Sequence, residues 1–244
     1  MTRRIVSIHG FRRGTGKTNV AVNLATVMAQ SGLRVGLIDT DERSPNIADA
    51  FGVPQPNGTL HDLLTEKVGV SEAVVQIPIS APDGGGLWLI AFPIYSAEVA
   101  IMLKQKYDVE LLNEGYHKLI DELQLDVLLV DTVAGLDEET LLTIATSDTL
   151  VEVLRPNQRD YHGTSVTVDV ARRLQIANIY TVLNMVPTST DWDALTKQIE
   201  TTYGCPVLAV VPHVDEVQTG IYAQAHPDAP LTQLYRTMGQ ALTD

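Results

Sequence analysis

Cysteine is nearly missing: the 244 residues include only Cys205. No intrachain disulfide can form, and no Cys/His group has the spacing of a zinc site. A lone thiol in front of an apolar run, with no base to activate it, is no nucleophile candidate. Long apolar runs are missing too, and none approaches the roughly 18 to 20 residues of a membrane span. The opening stretch MTRRIVSIHG lacks the longer apolar run and small-residue cleavage site of a signal peptide, so a reducing cytoplasm is the expected setting. Positive charge is scarce, with 17 Lys and Arg against 30 Asp and Glu, which argues against a surface coated for nucleic acid. Within that balance the first 38 residues carry no acid at all, while Arg3, Arg4, Arg12, Arg13, Lys17 and Arg34 fall among them. The pattern predicts a locally positive end that receives a polyanion such as a nucleoside triphosphate.

Apolar residues make up 45% of the chain, enough for a large core. One domain spanning 1–244 is the expectation from length. Short β-branched runs predict strands at Arg4–His9, Val35–Asp39, Leu87–Phe92, Val127–Asp131, Thr149–Leu154, Ile179–Asn184 and Val207–Val211. Several are apolar throughout, as strands covered on both faces are. Amphipathic stretches between them predict helices at Lys17–Ser31, Val99–Leu123, Asp137–Thr146, Gly163–Gln175, Asp191–Tyr203 and Leu231–Leu242. Loops fall at 54–58 and 82–86, where Pro, Asn, Asp and Gly gather. The alternation implies an α/β fold: a single doubly wound, mainly parallel sheet with helices on both faces.

The first predicted strand and helix are joined by His9-Gly10-Phe11-Arg12-Arg13-Gly14-Thr15-Gly16-Lys17-Thr18-Asn19. Its core ends in the GK[ST] signature of a P-loop. Glycines let backbone N–H groups turn inward on phosphate oxygens, and the helix N-terminus adds its dipole. In such a loop Lys17 reaches the β- and γ-phosphates and the Thr18 hydroxyl takes a place on Mg²⁺. Arg13, Gly14, Thr15, Gly16 and Asn19 complete the expected nucleotide-binding set. The alternative is a glycine turn that only caps a helix, but here the loop follows an apolar strand and opens an amphipathic helix, the context a P-loop requires. The pattern is imperfect, because Phe11 stands where the general motif has glycine.

Two further predicted strands end in acids, Leu37-Ile38-Asp39-Thr40-Asp41 and Leu128-Leu129-Val130-Asp131-Thr132. In a parallel sheet both ends share the P-loop's edge, where ligands of open α/β folds bind. Carboxylates there suit Mg²⁺, usually through bound water. Taken singly, each could equally cap a helix.

These motifs together resemble the ParA/MinD family of partitioning and positioning ATPases. Residues 12–18, RRGTGKT, align with its deviant phosphate loop KGGxGK[ST]. Asp39-Thr40-Asp41 matches its Asp-x-Asp strand end, and Asp131-Thr132-Val133-Ala134-Gly135-Leu136 matches DTPAGL at all but one position. Gly58–Leu64 is similar to its short helix after the second motif, Val182-Leu183-Asn184 to its late strand, and Val211-Pro212 to the strand end lining its base pocket. The resemblance implies ATP and Mg²⁺ as ligands, with Asp39 and Asp131 supporting the metal, Asp41 orienting the attacking water, and Asn184 and Pro212 at the adenine. It also implies a homodimer sandwiching two ATP molecules, reset by hydrolysis that an adaptor of the ParB, MinE or McdB type stimulates.

The departures from the family pattern are specific. Arg12 takes the place of the signature lysine that enters the partner's site. Arginine keeps the charge but offers a planar fork of donors, so it either acts in trans as an arginine finger or pairs with its own nucleotide. Arg13 replaces a glycine and Val133 a proline, which places the chain in a side branch. Arg155, Gln158, Arg159 and Asp160 read as a helix start with a solvated face, or, by the resemblance, as a region facing the dimer interface or the base, and His213 reads as a loop residue. The Leu231–Leu242 helix lacks the basic, bulky-apolar character of a membrane switch. Nonspecific DNA binding stays open, since dimerisation would gather cations from two copies.

The expected function is an ATP-dependent dimerising switch that partitions or positions cargo: a plasmid, a chromosome region or a protein compartment such as a carboxysome. The alternatives are a dethiobiotin-synthetase-type ligase of small carboxylates and a nucleotide-gated binding module with negligible hydrolysis. An iron protein of the nitrogenase type is excluded, because its cluster needs cysteine pairs.

Overall fold

The computed structural model describes residues 3–41, 46–56, 58, 62–63, 67–82, 84–91, 109–214 and 221–243. In chain order the elements are β1 (Arg4–His9), α1 (Lys17–Gln30), β2 (Arg34–Asp39), α2 (Ile47–Phe51), α3 (Val70–Ala73), β3 (Val74–Ile77), β4 (Gly86–Ala91), α4 (Val109–Glu122) and β5 (Val127–Asp131). There follow α5 (Glu138–Ala145), β6 (Thr149–Leu154), α6 (Gln158–Arg173), β7 (Asn178–Val186), α7 (Trp192–Tyr203), β8 (Val207–Pro212), α8 (Tyr222–Ala225) and α9 (Pro230–Thr243).

Among the described residues the strands form one eight-stranded sheet in the order β3-β4-β2-β5-β1-β6-β7-β8. Each neighbouring pair is parallel except β3 with β4. From β1 the chain goes to β2 on one side, returns through β5, then continues to β6, β7 and β8 on the other. This reversal opens a crevice beyond the carboxyl end of β1, where open α/β sheets place their ligands.

The apolar runs are explained by burial on both faces. On one face Val6, Ile8, Leu37, Leu129 and Val153 pack with α1 and α9. On the other, Ile38, Ile90, Leu128 and Val130 meet Tyr116 and Leu119 of α4, and Leu154 and Leu183 meet α6 and α7. Helix α1 is buried at every position from Val20 to Ala29 because it is covered by the sheet below and α9 above. Gly239 permits that close approach: a Cβ there would sit 2.9 Å from Met28 Cγ. The apolar stripe of α9, through Leu231, Tyr235, Met238 and Leu242, is therefore spent on the core. No helix among the described residues is long and apolar enough to cross a membrane.

Strand ends differ from the expected ones by one or two residues, as fraying and bulges allow. The short helices α2, α3 and α8 were not expected, since four or five residues carry too little periodicity, and three other differences are larger than a residue or two. β3 went unpredicted because it is a four-residue, half-exposed edge strand with little periodicity. Helix α6 begins at Gln158 rather than Gly163, since the Asn157 side chain caps it by accepting the Asp160 N–H at 3.0 Å. Of the expected Val99–Leu123 helix, the portion before Val109 lies outside the described residues, as does most of the Gly58–Leu64 motif and Phe92.

Candidate functional site

Gly14 and Gly16 adopt φ of 78° and 85°, the left-handed conformation that lets alternate N–H groups turn into one concavity. Gly16 has no room for a side chain either, because a Cβ would strike Asn184 Nδ2. Helix α1 starts at Lys17 with no capping side chain and no acid in its first turn. Helices α5, α6 and α7, by contrast, are capped by Asp137, Asn157 and Asp191. The N–H groups at the start of α1 are thus left to an anion.

These groups open on a cavity of about 560 Å³ whose lining includes Arg13, Lys17, Thr18, Asn19, Asp41 and Asn46. The Thr18 hydroxyl donates to Asp131 Oδ2 at 2.6 Å. Asp131 is 3% exposed, and its Oδ1 has no partner among the described residues. Burial pushes Asp131 up to about 7, against the pull of Lys17 and Thr18 and with Asp39 and Asp41 adding to the rise. Asp39 lies opposite Asp131 in the β2–β5 register. Its carboxylate accepts the N–H groups of Asp41 at 3.0 Å, Asn46 at 3.1 Å and Ile47 at 3.3 Å, which holds the Asp41 backbone and the start of α2. Asp39 is also raised by burial, with those bonds opposing. Arg13 Nη2 stands 3.9 Å from Asp41 Oδ2 across the mouth.

A magnesium nucleotide fits this donor set. The glycine turn, the uncapped helix start and Lys17 suit phosphate, and the orphaned Asp131 Oδ1 beside Thr18 suits a divalent cation or its water. A cation there would return Asp131 to its ionised form.

Arg12, Asn184 and Pro212 are not among the residues that line this cavity. Arg12 is exposed, and its Nε donates to the Arg159 carbonyl at 3.2 Å. Asn184 sits behind the P-loop, donating to Thr15 O at 2.8 Å and accepting from Met185 N at 2.9 Å. Pro212 ends β8 opposite Val186. His213 donates its backbone N–H to Val186 O, and residues 215–220 beyond it are outside the described set.

Other residues carry a larger role than their spacing announced. Asp160, expected on a solvated face, is 2% exposed and holds Arg155 through Nε at 2.8 Å and Nη2 at 3.2 Å. Burial would push Asp160 up, but the Arg155 bonds outweigh it and the net direction is down. Arg155 Nη1 in turn lies beside Gly14. The Phe11 ring fills the space a Cβ on Gly163 would need, so a helix glycine accommodates the bulky residue in the phosphate loop. Glu152, fully buried, accepts the Phe11 N–H at 3.4 Å and the Thr164 hydroxyl at 3.3 Å. A lone acid inside the apolar run TLVEVL was the one signal for it.

Fold and site together define a P-loop nucleotide-binding protein built on a doubly wound sheet. The sequence model of the CobQ/CobB/MinD/ParA nucleotide binding domain matches residues 6–224, and the chain belongs to that family. It is 28% identical over 233 residues to an uncharacterised ATP-binding protein of Methanocaldococcus jannaschii, covering 93% of this chain and 83% of the other. The septum site-determining protein MinD of Pyrococcus horikoshii, solved with Mg-ADP, superposes with a TM-score of 0.80 at 21% identity, covering 99% of this chain and 96% of that one. A plasmid partition protein from Borrelia burgdorferi gives 0.75 at 16% identity, with 99% and 98% covered. At such identities the two structures speak for the fold alone.

Proposed function

We propose that the chain is an ATP-dependent dimerising switch whose hydrolysis, stimulated by an adaptor, partitions or positions cargo. The observation that carries this reading is the convergence on one cavity of Lys17, the Thr18–Asp131 pair and Asp41, with Asp39 holding the Asp41 backbone. Family membership and the P-loop geometry support ATP as the nucleotide, and the donor set supports Mg²⁺, which would neutralise phosphate charge when bound.

In this scheme Lys17 and the N–H groups of residues 13–19 hold the phosphates. Thr18 and Asp131 form the metal side. Asp41 orients a water toward the γ-phosphorus. The water's oxygen forms the new P–O bond while the bond to the β–γ bridging oxygen breaks, and the water's proton passes to Asp41 or to the released phosphate. Arg12 projects beside the cavity rather than into it, which favours action on a second copy's nucleotide over its own. Asn184 keeps a second N–H and a second lone pair beyond its bonds to Thr15 O and Met185 N, so adenine contact there would link base binding to the P-loop backbone.

Phosphate release from Mg-ATP tests the scheme. Slow turnover by the parent and none by Asp41→Ala or Lys17→Ala is expected. Turnover by Asp41→Ala equal to the parent's would remove Asp41 from the mechanism.

A further inference from the structure

Beneath the phosphate loop, on the face away from α1, lies a second pair of facing titratable side chains. His9 ends β1 and Glu152 lies opposite it in the parallel β1–β6 register, so both project to the same face from neighbouring strands. Both residues are fully buried. Each has one polar atom without a partner among the described residues, His9 Nε2 and Glu152 Oε2. Buried orphans of this kind are costly and call for an explanation.

The other atoms of the pair fix what these two can be. Thr132 Oγ1 donates its hydrogen to the Ile8 carbonyl at 3.2 Å. With that hydrogen so placed, the 2.7 Å contact between His9 Nδ1 and Thr132 Oγ1 takes its proton from Nδ1, which leaves Nε2 a bare acceptor; the other tautomer needs Thr132 to turn its hydrogen away from the Ile8 carbonyl. Glu152 Oε1 already accepts from Phe11 N and Thr164 Oγ1. An ionised Oε2 would face the bare nitrogen as a second acceptor, whereas a protonated Oε2 would face it as a donor.

We infer that Glu152 is held as a neutral acid whose Oε2–H is directed to His9 Nε2, over a small side-chain rotation or one bridging water, and that this strut positions the start of the P-loop against the loop after β5. The strut runs Thr132, His9, Glu152, Phe11 N–H, and so ties the residue after Asp131 to the phosphate loop and, through Thr164, to α6. The surrounding charges agree. Burial lowers His9 to about 3, with Lys17 adding to the fall and Asp137 and the Val133 backbone opposing it. Burial raises Glu152 to about 8, against the bonds from Phe11, Thr164 and Thr167 and with the Asp160 charge adding to the rise. Tyr203 and Cys205 also face Glu152, and both are themselves raised, first by burial. The positioning role rests on the nucleotide-binding reading; the protonation state does not.

Glu152→Gln keeps a donor and an acceptor where the neutral acid has them, and Glu152→Met keeps the bulk without either. With ADP and magnesium chloride as the probe, Gln should bind as the parent does, while Met should bind about tenfold more weakly, the loss of one buried hydrogen bond. Met binding as tightly as the parent overturns the positioning role. Without nucleotide, thermal unfolding followed from pH 6 to pH 9 should show the parent losing stability relative to Glu152→Gln. Parallel curves overturn the neutral acid, and this arm decides even if the Met protein does not fold. A parent that binds no nucleotide sinks the proposed function while leaving the pH comparison intact.

Discussion

Two pairs of buried acidic or basic groups meet at the carboxyl edge of the same sheet, and they differ in what they face. Asp39 and Asp131 lie opposite each other on β2 and β5, with the P-loop cavity beside them. His9 and Glu152 lie opposite each other on β1 and β6, enclosed under α6. Asp131 accepts from Thr18 through Oδ2 and leaves Oδ1 without a partner among the described residues, while Glu152 Oε1 accepts from the Phe11 backbone and the Thr164 hydroxyl. On the proposed reading, one edge of the sheet holds an acid that would serve a metal and another used as a structural neutral group. Similar burial raises both acids, and the neighbouring groups decide which is chemistry and which is architecture.

The widest separation between the two regions comes from the residues at the cavity. Arg12→Ala should lower stimulated turnover by about 10³ or more while leaving nucleotide affinity unchanged, if Arg12 serves the partner's nucleotide. Equal activity in the two proteins would remove the trans role. Lys17→Ala should weaken binding of Mg-ADP by at least about a hundredfold, measured by calorimetry, because a charge-assisted phosphate contact disappears.

The enclosed region should respond in stability instead. Glu152 has its folded pKa raised from 4.5 to about 8, so its stabilising proton is fully held below pH 4.5 and the contribution is lost as pH rises through about 8. His9 has the opposite sign: its folded pKa falls from 6.5 to about 3, so its contribution is present above pH 6.5 and lost as pH falls toward 3. Between pH 4.5 and 6.5 these two slopes oppose, Asp131 adds a slope of the Glu152 sign up to about pH 7, and the Glu152 part, about 1.4 kcal/mol per pH unit at its steepest, is what separates the parent from Glu152→Gln. Chemical denaturation of the parent and of Glu152→Gln across this range checks the difference. Gly163→Ala should cost about 1 to 3 kcal/mol by crowding the Phe11 ring. The double variant with Phe11→Leu should recover part of that loss, and strict additivity would deny the contact. At the small end, Asp169→Ala breaks an exposed pair with Arg173 and should change stability by less than about 0.5 kcal/mol.

The same contrast accounts for what the sequence disclosed. The order of strands and helices was legible because strands covered on both faces must be apolar, as Val127-Leu128-Leu129-Val130 is. The cavity region was legible because GTGKT and the two strand-ending aspartates are local patterns. The enclosed region was not: His9 reads as the last residue of an apolar strand, and Glu152 as a stray acid, until the β1–β6 register places them together. Phe11 looked like a defect in the phosphate loop, and only the glycine at 163, some 150 residues away along the chain, shows how it is accommodated. Gly163 was placed at a helix start, whereas it lies inside α6, where its missing side chain leaves room for Phe11. Edge strand β3 escaped for a different reason, since four half-exposed residues carry too little periodicity to register.

The most direct test of the switch is the mass in solution, by light scattering, of purified Asp41→Ala protein with ATP and Mg²⁺, with ADP and Mg²⁺, and with neither. The account predicts a dimer with ATP alone and a monomer in the other two. A monomer under all three conditions would contradict it.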